Sequence, residues 1–211
     1  MTMTGRFEGW RAFWAMTVAL AAMSLLFLST LGWGTEGYRM VIRATARTSL
    51  ALFLAAFLAS SLLRLWPGSL TRWLRRNRRY SGLSFAMSHA IHLAAIIALA
   101  RTDPATFATL SSKGSIITGS IGYVFIAMLT ATSFDRMVAL LGPRLWQRIH
   151  TIGAWTICIF FFFTNGKRIP GSGWYMLPVA ILFAAVIVRI AARRKKIGVT
   201  NGMTLSGSGQ A

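Results

Sequence analysis

Six apolar stretches, each about 18 to 22 residues long and nearly free of charge, decide what this chain can become. Wound as an α-helix at 1.5 Å per residue, such a run matches a hydrocarbon core of roughly 30 Å. The runs place spans near 12–32, 48–66, 81–100, 115–134, 144–164 and 174–192. Four of the connections carry Trp66-Pro67-Gly68, Asp103-Pro104, Gly142-Pro143 and Pro170-Gly171, where proline and glycine disfavour a continuing helix. Of 211 residues, 55% are hydrophobic and only 13% charged, against roughly 25% charged in soluble proteins. The expected fold class is an all-α integral membrane protein, a bundle of six transmembrane helices. The first run exceeds a signal-peptide core and lacks a clear small-residue cleavage site, so it reads as a retained span.

A formal charge of +19 would suggest nucleic acid in a soluble domain. Here the basic residues lie between apolar runs, where they orient the chain and meet anionic headgroups, so no nucleic-acid partner is expected. With the N-terminus inside, the inner face holds 16 of the 23 Lys and Arg, including Arg72, Arg75, Arg76, Arg78, Arg79 and Arg189. The outer face keeps 7, Arg39, Arg43 and Arg47 among them. This asymmetry predicts both ends in the cytoplasm, the N-in/C-in arrangement. Residues 1–11 then form a cytoplasmic N-terminus, 12–192 the membrane domain, and 193–211 a basic, then Gly/Ser/Thr-rich tail expected to be disordered.

Chemistry-bearing motifs are few. Cys158 is the lone cysteine, which excludes an internal disulfide and a Cys-x-x-Cys-His haem attachment. No Walker sequence or Gly-x-Gly-x-x-Gly loop is present, so neither ATP hydrolysis nor direct pyridine-nucleotide binding has a motif behind it.

All three histidines lie inside apolar runs, His89 and His92 in the third and His150 in the fifth. Ionisable side chains there usually face the bundle interior, and neutral imidazole is a normal axial ligand for haem iron. The third and fifth spans run the same way. Counted from Tyr80 and Pro143, His92 lies roughly 18 Å along its helix, His89 roughly 14 Å and His150 roughly 10 Å. Helix tilt leaves either third-span histidine able to meet His150. The bland alternative is that the three imidazoles only hydrogen-bond neighbouring helices. Glu8, Glu36, Asp103 and Asp135 all fall at or beyond span ends, which argues against a proton relay.

Arg78-Arg79-Tyr80-Ser81-Gly82-Leu83 leading to His92, Thr132-Ser133 ending the fourth span, and Leu145-Trp146-Gln147-Arg148-Ile149-His150 opening the fifth resemble the ferric reductase-like transmembrane domain. Within that family the likeness points to the six-span haem subunit of the periplasmic methionine sulfoxide reductase system, over about residues 40–192. The resemblance implies non-covalent b-type haem, with His92 and His150 matching its iron ligands and His89 an additional histidine. It also implies electron transfer from a cytoplasmic flavoprotein or membrane quinol to a periplasmic acceptor, methionine sulfoxide reductase or a ferric chelate, in a bacterial inner membrane. Flavin or quinone would come with a partner. The family's further histidine, about 13 residues after the one matching His150, is replaced by Phe163. Three histidines cannot supply four axial positions, so at most one bis-histidine haem is expected.

Such a chain would be an oxidoreductase subunit. The competing expectation is a non-redox scaffold of the same fold that has lost haem along with the second histidine. Arg78 and Arg79, just before the third span, serve topology and lipid binding on the simplest reading; alternatively they pair with haem propionates or an acidic partner. Arg39, Arg43 and Arg47 share one helix face on the outer side, suited to a periplasmic partner or lipid phosphate.

Overall fold

The computed structural model describes residues 7–206. Arg6 and the ends of both terminal segments therefore lie outside the described residues. Eight α-helices follow in order: α1 (Trp10–Leu31), α2 (Thr35–Leu65), α3 (Ser69–Arg76), α4 (Arg78–Thr102), α5 (Pro104–Leu110), α6 (Lys113–Ala131), α7 (Asp135–Gly166) and α8 (Met176–Ser206). No strand occurs among the described residues, and six helices are long and apolar enough to cross a membrane. A helix satisfies its own backbone polar groups, which hydrocarbon cannot do. Apolar side chains such as Val124, Leu140 and Phe183 stay exposed on the bundle surface, where lipid is the solvent. Trp33 and Trp174 at one end, and Trp10 and Trp66 at the other, are exposed in the manner of interfacial aromatic belts.

The second span begins at Thr35, well before the expected residue 48. Arg39, Arg43 and Arg47 depress local hydropathy without breaking the helix, because arginine is a good helix former. Arg39 pairs with Glu36 at 3.3 Å. Gly32, at φ 85°, reverses the chain between α1 and α2, and Gly37 packs so closely there that a Cβ would overlap the Gly32 carbonyl oxygen. At the same end Asp103 caps α5 by accepting from the Thr106 amide and receives the Thr35 hydroxyl at 2.8 Å. Hydrogen bonds from Thr106 and Thr35 hold its carboxyl below the usual range.

Phe7–Gly9, which lead into α1, and Ala192 of α8 lie at the other, basic end. The Trp73 indole donates to the Phe7 carbonyl, the Gly9 amide donates to Asn77 Oδ1, and Arg76 reaches Glu8 at 2.7 Å. Arg64 donates to the Ala192 carbonyl, joining α2 to α8. Helix α8 runs on to Ser206, through part of the segment expected to be disordered; residues 207–211 lie outside the described residues.

Helices α2 and α4 pack most extensively. Their seam is small and polar: Thr45, Ser49, Ser84 and Ser88 are fully buried, and Ser49 donates to Ser88 at 2.8 Å. Small residues let helix backbones approach, and hydroxyl bonds join them in lipid. Below this seam lies an aromatic core of Phe53, Phe57, Phe85 and Phe161, with successive rings 5.1–6.1 Å apart. Helix α6 packs chiefly on α7, Gly153 of α7 receiving the Leu129 side chain.

The fifth span is not a single straight rod. Gly142 adopts φ 71°, which only glycine takes readily, and Pro143 follows without an amide to donate. Residues 135–141 thus form a separate segment at the basic end, held by the Arg79–Asp135 ion pair at 2.8 Å.

Candidate functional site

His89 and His92 sit one turn apart on α4. The His92 Nδ1 lies 2.9 Å from the Thr45 hydroxyl, which itself donates to the Val41 carbonyl at 2.6 Å. With its single proton so used, Thr45 accepts from His92, and the network assigns Nδ1–H and a free lone pair on Nε2. His89 packs among rings, 4.7 Å from Phe85, 5.8 Å from Tyr123 and 6.0 Å from Phe161. Its Nδ1 is buried without a hydrogen-bond partner among the described residues.

His150 belongs to a different level. Phe161, which meets His89, lies eleven residues beyond His150 on α7, a rise of about 16 Å. The α6–α7 register agrees, with Gly122 beside Phe160, Leu129 beside Gly153 and Thr132 beside His150. His92 stands a further turn away. The structure brings His89 and His92 together, with ring centroids 5.7 Å apart, and does not bring either to His150. The levels counted from the sequence place the starts of the two spans at one depth, whereas the His89–Phe161 contact sets α7 nearer the basic end and leaves His150 level with the start of α4.

What His150 does line is a cavity of about 370 Å³ at the basic end, within the roughly 300–1,000 Å³ usual for ligand pockets. Its walls are Trp146 of α7, Phe53 and Phe57 of α2, and Phe85 of α4. Its rim is Arg75, Arg76, Arg78 and Arg79. Arg76 and Arg79 are engaged by Glu8 and Asp135, whereas Arg75 and Arg78 have no carboxylate partner among the described residues. Both arginines expected from the sequence are thus at the cavity, and Arg75 and Arg76 join them. In the sequence those two read only as topology signals, because nothing in their spacing separates a pocket rim from a solvated loop.

His150 is held as an outer contact holds a ligating imidazole. Its Nε2 lies 3.0 Å from the Thr132 hydroxyl, which donates to the Met128 carbonyl at 2.8 Å. Thr132 therefore accepts from Nε2–H, leaving the lone pair on Nδ1. Trp146 packs against the ring, centroids 4.4 Å apart and planes tilted by 32°, and donates to the Thr132 carbonyl. Among the described residues no three metal-ligating side chains converge. A metal group that brings most of its own ligands would need only an imidazole from the protein, and His150, the apolar walls and the arginines fit one such group. Phe163 is 56% exposed on the bundle surface, so its place faces away from the cavity.

Residues 45–161 match the family described as ferric reductase like transmembrane component. Among curated proteins, the chain is similar to the protein-methionine-sulfoxide reductase heme-binding subunit MsrQ of Ralstonia nicotianae, 34% identical over 139 residues. That alignment covers 63% of this chain and 63% of the relative, just under two thirds of its length. No solved structure matches. With six membrane-spanning helices and a family match over more than half its residues, the chain is an integral membrane protein belonging to the ferric reductase-like transmembrane family.

Proposed function

We propose that this chain is a membrane electron-transfer subunit that holds one b-type haem non-covalently in the cavity at its basic end. The observation that carries the reading is His150, an imidazole with a fixed tautomer lining an aromatic-walled cavity that four arginines also line. When bound, the haem supplies a one-electron carrier. His150 would hold the iron, Thr132 and Trp146 would orient its imidazole, and Arg75 and Arg78 would supply charge for the propionates. The phenylalanines exclude water. His92 and His89 stand above, with Phe85 and Phe161 between them and the cavity.

With both ends inside, the cavity faces the cytoplasm of a bacterial inner membrane. Electrons then enter from a cytoplasmic flavoprotein or membrane quinol and leave to a periplasmic acceptor. The similarity to the Ralstonia methionine-sulfoxide reductase subunit favours a methionine sulfoxide reductase over a ferric chelate.

One observation favours the haem-free scaffold instead: no second imidazole lines the cavity opposite His150. Colour separates the two readings. The purified protein, expressed with ample haem supply, is expected to show a b-type spectrum that changes on reduction; a well-folded, haem-free preparation would overturn the redox reading.

A further inference from the structure

Arg189 counts towards the inner-face charge in the sequence, yet it does not reach out to headgroups as arginines near helix ends usually do. It is 8% exposed, turned inward from α8. Its guanidinium lies 3.9 Å from the ring centroid of Phe57 and 5.4 Å from that of Trp155, and Nη1 donates to the Phe57 carbonyl at 2.7 Å. The chain has four side-chain carboxylates, and all are committed elsewhere: Glu8 to Arg76, Glu36 to Arg39, Asp135 to Arg79, and Asp103 to Thr35 and Thr106. A buried cation is ordinarily paired with an anion, and among the described residues this one is held by a carbonyl and two aromatic faces.

The same Phe57 lines the cavity, as does Ala154 beside Trp155. The Arg189 charge therefore stands against the cavity wall, in low-dielectric surroundings where Coulomb energies are large. We propose that Arg189 is a positioning residue whose fixed positive charge raises the reduction potential of the group held in the cavity. The inference rests on the haem reading above. An occupant that accepts one electron becomes more negative by one unit, and a nearby cation stabilises that state over the oxidised one. Guanidinium suits the place because its planar fork can stack on a ring and donate to a carbonyl at once.

The test is a spectroelectrochemical titration of the purified full chain, reduced stepwise with dithionite, for wild type, Arg189→Gln and Arg189→Lys. Removing the charge is expected to lower the ratio of reduced to oxidised haem at a fixed potential about tenfold, about 59 mV for one electron. Arg189→Lys, which keeps the charge, should titrate near wild type. An unchanged midpoint in haem-loaded Arg189→Gln overturns the proposal while leaving the haem reading intact, and so does a lysine variant that falls as far as the glutamine one. Should Arg189→Gln lose its haem, the lysine variant decides, a wild-type midpoint supporting the charge role and a lowered one refuting it. A haem-free wild type removes both readings.

Discussion

The ring of His89 lies 6.0 Å from that of Phe161, and this contact sets the level of the α4 histidines against α7. It separates two polar sites along the membrane normal. One is the imidazole pair within the α2–α4–α6–α7 interior; the other is the His150 cavity at the basic end. Aromatic rings fill the space between them.

This separation predicts unequal histidines. Haem per polypeptide, measured by pyridine haemochrome, should not exceed one, and His150→Ala should abolish it. His92→Ala should keep the haem spectrum and lose about 1 kcal/mol of stability, the usual scale of an interhelical hydrogen bond in membranes. His89→Ala should also keep the spectrum. If His92→Ala and His150→Ala lose low-spin haem alike, one iron joins the two helices and the levels described above do not hold in the loaded protein.

The rim arginines should also divide. Arg78, without a carboxylate partner, should lower haem affinity about tenfold when changed to alanine, since a charge-assisted hydrogen bond contributes roughly 1.5–3 kcal/mol. Arg79 is tied to the exposed Asp135, so Arg79→Ala should cost at most about 1 kcal/mol of stability and change affinity little. Haem transfer to apomyoglobin reads the first and thermal unfolding in detergent the second. Equal, salt-independent affinities in both variants and wild type would reduce the pair to a topology signal.

Gly37 has no room for a side chain against the Gly32 carbonyl. Gly37→Ala should force α1 away from α2 and destabilise the bundle by about 3 kcal/mol, the upper range for overpacking. Gly82→Ala, on the same bundle with open space at its Cβ, serves as the control. Comparable melting temperatures for the two variants would refute the close approach.

Reporter fusions check the orientation. A cytoplasm-active reporter after Lys196 should give signal, and the same reporter after Lys113 should not. A periplasm-active reporter working at the C-terminus would reverse the charge-based assignment.

The six spans are legible because a run of apolar residues long enough to cross a bilayer has few other uses. Their boundaries are less so. Arg39, Arg43 and Arg47 hide the first three turns of α2, and Gly142-Pro143 looks like a loop although helix lies on both sides of it. The site divides similarly. Three membrane histidines announce themselves, but their levels depend on how far α7 is offset along its axis from α4, which a contact between distant rings sets. Arg189 is visible as a charge in the sixth run, yet its inward turn depends on Phe57 and Trp155, distant in sequence. No local pattern encodes such a meeting.

The hydroxyl seam of α2 also bears on how the chain is made. Thr45 and Thr48 each donate to a carbonyl of their own helix, Val41 and Ala44, at 2.6 and 3.1 Å. That back-bonding is complete within α2 and does not wait for α4, which is synthesised later. Ser49 differs, because its bond is to Ser88 across the interface. Helix α2 can thus enter lipid as it emerges from the ribosome with only one of these three hydroxyls still awaiting its partner, and the arrival of α4 closes that last bond and docks His92 onto a threonine already in place.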